Sequence, residues 1–292
     1  MKHKILILLF IFANATEDTI EKINLGDKPL EINIEIPSAI PDARKEESNV
    51  LKKSQISTIK TQAKDYIPSA ITENDIIIID TNKGTMKLKF YNDVAPNHCY
   101  NFKKLANSGF YDGTLFHRVI PGFMIQGGDI LSRDTNTDND GTGGPGWIIN
   151  AEFNNIKHER GILSMARSRD INSAGSQFFI CLDNAKHLDG KYTVFGYLYQ
   201  GDHVLTAIAN AGSEHDQGIS LTTTIIPEGE DITRWVEVID PKTRKSRYGK
   251  LPDHMNDKLS YKESLQKKLN NTSRPGVPII IDSIRVVQDV KK

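Results

Sequence analysis

Only two of the 292 residues are cysteine, Cys99 and Cys181, too few for the disulfide framework that staples small secreted folds. They could pair in an oxidising compartment. Cys99 nevertheless falls on the apolar face of a predicted helix and Cys181 at the end of a predicted strand, where each reads as a small buried hydrophobe. Net charge is also lacking: 37 Lys and Arg offset 37 Asp and Glu, so nothing global draws the chain to nucleic acid. No run approaches the ~20 apolar residues that span a bilayer. No histidine–carboxylate spacing resembles a zinc site. Gly175-Ser176 lacks the G-x-S-x-G frame of a nucleophile elbow, and His98-Cys99 are sequence neighbours with no third member to make a catalytic set. Gly141, Gly143 and Gly144 sit in a Thr/Asn/Asp-rich loop with no following Lys-Ser/Thr, which excludes a phosphate loop. Hydrolase, metalloenzyme and nucleotide chemistry therefore have no support, and neither a metal nor a cofactor is expected.

What is present is enough chain for one or two domains with a substantial core. Lys2, His3 and Lys4 precede an apolar run from Ile5 to Phe12, and Ala13-Asn14-Ala15 supplies a small–x–small cleavage site. Residues 1–15 thus read as an export signal with a mature start near Thr16, directing the protein to a periplasmic or secretory compartment. Residues 16–73 read as an N-terminal extension: Ile32-Asn33-Ile34-Glu35-Ile36 alternates like one strand, and Pro41 to Lys64 is polar, a linker or a helix with a weak core.

From residue 74 the pattern changes. Ile76–Ile79 and the alternating Met86, Leu88 and Phe90 flank Asn82 and Gly84, which predicts a β-hairpin. A helix follows, with Pro96 in its first turn, Cys99, Phe102, Leu105 and Ala106 on one face, and Gly109 at its end. Strand-like runs recur near 115–119, 123–129, 162–166, 178–182 and 193–199. A second helix is expected from an N-cap at Asp202, burying Val204, Leu205 and Ile208 and stopping near Gly212. Many short strands with two helices predict a mainly β barrel or sandwich.

The densest information lies in Phe116-His117-Arg118-Val119-Ile120-Pro121-Gly122-Phe123-Met124-Ile125-Gln126-Gly127-Gly128-Asp129. One cation and one amide stand among large apolar side chains, which suits a groove that holds an apolar ring and offers a few directed hydrogen bonds. Gly161–Ala166, Gly175–Ile180 and Leu188–Gly196 follow in order. Together these blocks resemble the cyclophilin family of peptidyl-prolyl cis/trans isomerases, over roughly residues 74–212 and a last strand near 279–288. The resemblance implies a closed eight-stranded antiparallel barrel capped by two helices. It also implies that Arg118 is the catalytic cation and that Phe123, Met124, Phe179 and Tyr192 line a proline pocket. Gln126 would hold Arg118 and bond the substrate backbone. Ala166, Arg167 and Gln177 would flank the groove, and His187 and Leu188 would form its rim. The chain departs from common family members at Arg167 (asparagine), His187 (tryptophan) and Tyr192 (histidine). The loss of tryptophan puts cyclosporin binding in doubt. A non-catalytic module that binds proline segments is the alternative reading.

Residues 74–292 would form this domain, with 213–273 inserted before the last strand. Thr222–Ile226 and Ile232–Ile239 read as a hairpin around Pro-Glu-Gly-Glu-Asp. Residues 242–274 carry ten cations against three anions, room for a short helix and an acidic partner or anionic lipid surface. The partners expected are proline-containing peptides and unfolded protein clients, no nucleic acid, with the chain acting as a monomer.

Overall fold

The computed structural model describes residues 50–289. The export segment and the alternating run at 32–36 lie outside the described residues. The extension enters as α1 (Lys53–Asp65), whose Ile56 and Ala63 are buried in the main core. The rest of the frame is β1 (Asp75–Thr81), β2 (Gly84–Phe90), α2 (Pro96–Asn107), β3 (Arg118–Ile120), β4 (Met124–Gly127), β5 (Ile162–Met165), β6 (Phe178–Cys181), β7 (Val194–Gln200) and α3 (Asp202–Ala209). After it come α4 (Glu214–Ser220), β8 (Trp235–Ile239), β9 (Ser246–Lys250), α5 (Lys258–Asn270) and the returning β10 (Ile281–Gln288).

Eight strands make one antiparallel sheet in the order β10-β1-β2-β7-β5-β6-β4-β3. The resemblance led to a closed barrel, and here the structure differs: no ladder joins β3 to β10. The gap is instead stitched by the irregular stretch before β3. Leu115 makes single bridges to Asp129 and Ile280, Phe116 N–H donates to Ile279 O (2.9 Å), and Ile281 N–H donates to Thr114 O (2.8 Å). The edge of β3 away from β4 is taken up elsewhere, Val119 N–H donating to Ser273 O at 2.6 Å.

Aromatic side chains fill the interior. Phe102 on α2 packs against Tyr111, Phe178 and Phe195, with ring centroids 5.3, 5.3 and 5.4 Å away. Such pairs add about 0.5–1.5 kcal/mol each beyond their burial, so truncating Phe102 would cost about 3–5 kcal/mol. The first N–H groups of α2 lack a side-chain cap of their own at Ala95. Glu152 reaches in from a distant loop to accept from Asn97 N–H (3.0 Å) and His98 N–H (2.9 Å), placing a carboxylate at the positive end of the helix. Cys99 and Cys181 are both free and buried. Burial pushes both thiols up, Cys181 to about 12.

The expected second helix begins one residue earlier in its cap than the sequence indicated. Gly201, at φ 102°, is the N-cap and Asp202 the first helical residue. A side chain at Gly201 would meet the Thr85 carbonyl at 2.7 Å, so only glycine fits this crossing. The helix ends at Ala209, short of Gly212.

Residues 213–273 hold four elements, α4, β8, β9 and α5, gathered around Val236, Val238, Leu265 and Leu269, a cluster separate from the main core. The expected hairpin of 222–226 with 232–239 is not formed. Trp235–Ile239 pairs with Ser246–Lys250 instead, and Thr223 makes a single bridge to Tyr248. The turn at Asp240-Pro241 explains the choice: Asp240 accepts from Lys242 N–H and Thr243 Oγ1, folding the chain back immediately after β8. The ten cations of 242–274 follow seven carboxylates and one arginine in 213–241. The two halves meet in pairs such as Lys250–Glu230 (2.6 Å). Both ends of the segment leave the frame together, Gly276 N–H donating to Gly212 O at 3.0 Å.

Candidate active site

The Pro121-Gly122 turn, with Gly122 at φ 72°, reverses the chain between β3 and β4 and sets their register. Arg118 lies opposite Gln126, Gln126 opposite Phe179 on β6, and Phe179 opposite Ser164 on β5. Directly opposed residues project to the same side of a sheet. The intervening residues Val119, Ile125, Ile180 and Leu163 enter the main core. Arg118, Gln126 and Phe179 therefore share the outer face. On that face a second apolar cluster contains Met124, Phe179 and Leu188, flanked by Phe123, Ala166 and Tyr192. Met124 and Phe179 are 2% and 5% exposed and form its floor.

Arg118 is exposed, and its Nη1 donates to Gln126 Oε1 at 3.2 Å. Gln126 Nε2 donates in turn to Gln177 Oε1 at 3.0 Å. Gln177 Nε2 gives its hydrogens to Gly141 O (2.9 Å) and Gly143 O (2.8 Å), which ties the glycine loop to the site. Ala166 N–H donates to Gln177 O, so the 166 segment runs beside the groove as an edge. The Arg167 guanidinium lies 4.5 Å above the Tyr192 ring and donates to Lys191 O. Tyr192 meets Phe179 edge-on at 5.9 Å, and the exposed His187 ring lies over Phe123 at 5.3 Å. All eleven site residues singled out in the sequence thus gather around one groove. Beside it opens a cleft of about 550 Å³ that shares Gln126, Ala166, Arg167 and Gln177.

Sequence reasoning missed His158. Its ring stacks on Phe179 at 6.0 Å, Nδ1 lies 3.1 Å from Asp189 and Nε2 lies 3.0 Å from Ser164 Oγ. Burial holds this imidazole below its ordinary value, with Asp189 opposing. The His158 backbone N–H in turn keeps Asp189 below the usual carboxylate range. This neutral ring props the back of Phe179 and the 186–192 segment. No local pattern announces it, because its partners lie far away in sequence. The arrangement offers one fixed guanidinium, an amide relay and an apolar floor. Among the described residues no group of three or more His, Cys, Asp or Glu is placed to hold a metal ion.

An open antiparallel barrel sheet with an arginine above an apolar outer pocket defines a prolyl-peptide isomerase architecture. A model of the family described as cyclophilin type peptidyl-prolyl cis-trans isomerase/CLD matches residues 76–227. The chain belongs to the cyclophilin-type peptidyl-prolyl cis-trans isomerases. It is 52% identical over 119 residues to the peptidyl-prolyl cis-trans isomerase of Synechococcus elongatus, covering 41% of this chain and 77% of that protein. It is 39% identical over 155 residues to a probable peptidyl-prolyl cis-trans isomerase of Brucella abortus, covering 51% and 79%. The crystal structure of a Cryptosporidium parvum cyclophilin superposes with a TM-score of 0.50 at 27% identity, covering 74% of this chain and 98% of that one.

Proposed function

We propose that the chain accelerates rotation about X–Pro bonds in unfolded or partly folded exported clients, with Arg118 stabilising the twisted amide. Amide resonance opposes rotation by ~18–20 kcal/mol, whereas cis and trans differ by only about 0.5–1 kcal/mol. Catalysis therefore requires no bond to be broken. It requires a grip on the proline ring and an electrostatic preference for the state in which conjugation is lost and the prolyl nitrogen becomes pyramidal. Met124, Phe179, Phe123 and Tyr192 supply the apolar grip. Arg118 supplies the cation, and Gln126 takes one of its N–H groups so that the guanidinium keeps one orientation.

The observation that carries this reading is the single row Arg118–Gln126–Phe179 on the outer face, with Met124 beside it. The direct experiment is magnetisation-exchange NMR on a short X-Pro peptide with catalytic amounts of protein. Faster cis/trans exchange supports the reading. Binding of the peptide without faster exchange would replace it with the proline-segment binding module. The basic, apolar and small-residue order of Lys2 to Ala15 supports export as the setting of this activity.

A further inference from the structure

The amide relay that holds Arg118 has a defined direction, and that direction is set at its far end. A guanidinium has donors only, so Arg118 needs the oxygen of Gln126. This turns Gln126 Nε2 toward Gln177, which must answer with its own oxygen. Gln177 Nε2 then faces two backbone carbonyls, Gly141 O and Gly143 O. Turning Gln177 over would oppose oxygen to oxygen at the loop and nitrogen to nitrogen at Gln126. The two loop carbonyls therefore fix the whole relay.

Two carboxylates hold those carbonyls. Asp129, buried beneath the loop, accepts from Gly141 N–H with one oxygen and caps Leu131 N–H with the other. Gly143 packs so closely on Asp129 that a side chain there would meet its carboxylate at 2.0 Å. Asp140, next to Gly141, pairs with Arg274 at 3.1 Å, with side chains only 9% and 7% exposed. A pair so buried is screened far less than a surface one. Arg274 belongs to the root of the inserted segment, and its Nε lies 3.4 Å from Glu214 at the opposite root. Its carbonyl accepts from Glu214 N–H, and the preceding Ser273 O accepts from Val119 N–H at 2.6 Å, one residue from Arg118. The root thus touches the groove twice, through β3 beneath Arg118 and through the loop that sets its relay. An exposed pair, Lys267–Asp138 at 2.7 Å, is a third and weaker contact.

We propose that Arg274 is a positioning residue for prolyl isomerisation, acting through Asp140, the 141–143 carbonyls, Gln177 and Gln126 to orient Arg118. The proposal rests on the isomerase reading above. The inserted segment is thereby part of the catalytic frame at its root while its body stands apart.

The test uses the full chain with Arg274→Ala, Arg274→Lys and Asp140→Asn, measuring kcat and KM on an X-Pro peptide and the side-chain amide resonances of Gln126 and Gln177. Arg274→Ala should lower kcat roughly tenfold to a hundredfold, the scale of a misoriented catalytic group, with KM changed by less than about threefold. Both amide resonances should move or broaden, and Arg274→Lys should recover most of the loss. A folded Arg274→Ala with wild-type kcat and unmoved amides overturns the proposal. If that variant does not fold, Asp140→Asn decides by the same readouts. An inactive wild type would instead defeat the isomerase reading, and unmoved amides would then still reject the relay.

Discussion

The His187 ring lies over the Phe123 ring, their centroids 5.3 Å apart and their planes inclined by 36°. The histidine covers the outer wall of the pocket with less area than tryptophan would and without an indole donor. By its resemblance to family members with tryptophan there, the chain should bind cyclosporin weakly. His187→Trp should tighten inhibition by roughly tenfold or more, the worth of one lost buried donor and its contact. Titrating both proteins in the peptide assay checks this, and tight inhibition of the wild type would remove the role given to this wall.

Arg118→Ala should slow catalysed exchange by two or more orders of magnitude, from about 3–4 kcal/mol of lost transition-state stabilisation. Its exposed side chain supports little of the core, so the unfolding midpoint should stay put. Equal rates in wild type and variant would end the proposed mechanism.

Excising the inserted segment should have different consequences depending on where the cut falls. His215 N–H donates to Asn271 O at 2.9 Å, so residues 216–270 can be replaced by a short Gly/Ser linker without separating the roots. Their apolar cluster is self-contained, and this chain should fold and keep activity within a few-fold. Removing 213–273 also deletes Ser273 O under Val119 and Glu214 beside Arg274, and kcat should fall further. Circular dichroism and the exchange assay on both chains decide. Unfolding of the shorter excision would show that the segment belongs to the main core.

Stability should decline on acidification from neutral pH. Burial keeps the His98 and His158 rings below their ordinary 6.5, against the pull of their carboxylate partners. Below 6.5 the unfolded chain therefore takes up protons that the folded chain refuses, and stability drops until the lowered folded values are passed. For His98 the reason is visible: Nδ1 lies 2.6 Å from Glu152, while Nε2 is buried with no hydrogen-bond partner, so a second proton would find no acceptor. Burial alone would raise Glu152, but the hydrogen bonds from His98 and Asn97 outweigh it and hold it lowered. Its stabilising contribution disappears only as pH falls through its folded value, below the ordinary 4.5. Urea midpoints at pH 7.5, 6 and 5 should fall in that order, and His98→Gln should flatten the decline.

Mass spectrometry of the native protein should find Thr16 at the N-terminus, as the order of Lys2–Lys4, Ile5–Phe12 and Ala13–Ala15 implies. An intact Met1 on protein from the cytoplasm would overturn export.

Local chemistry was readable wherever the chain carries its own instructions. Asn82 and Gly84 turn one apolar strand into the next, and the face of Cys99, Phe102, Leu105 and Ala106 is buried on α2. The groove residues come together because strand register aligns Arg118, Gln126 and Phe179, and only the motif pointed to them. Long-range satisfaction of polar groups was not readable. Glu152 capping α2, His158 behind Phe179 and Arg274 on Asp140 each join residues with no shared periodicity. The hairpin in the insertion was misplaced because the β-branched run Thr222–Ile226 competes with a better partner, Ser246–Lys250, that strand propensity alone does not identify. The basic run was legible as charge, whereas its acidic counterparts in 213–241 acquire meaning only once Lys250 and Glu230 meet.

The buried thiols make the molecule its own stopwatch. Cys99 sits on α2 with its Sγ 3.4 Å from Phe195 O, and Cys181 sits on β6 against Met124 across the ladder. With both thiols held protonated, neither is a nucleophile in the native state, and the fold is indifferent to whether its surroundings are oxidising or reducing. An alkylating reagent can reach them only when the helix lifts or the strand detaches. The order in which the Cys99 and Cys181 peptides gain the adduct would report which of those regions opens first.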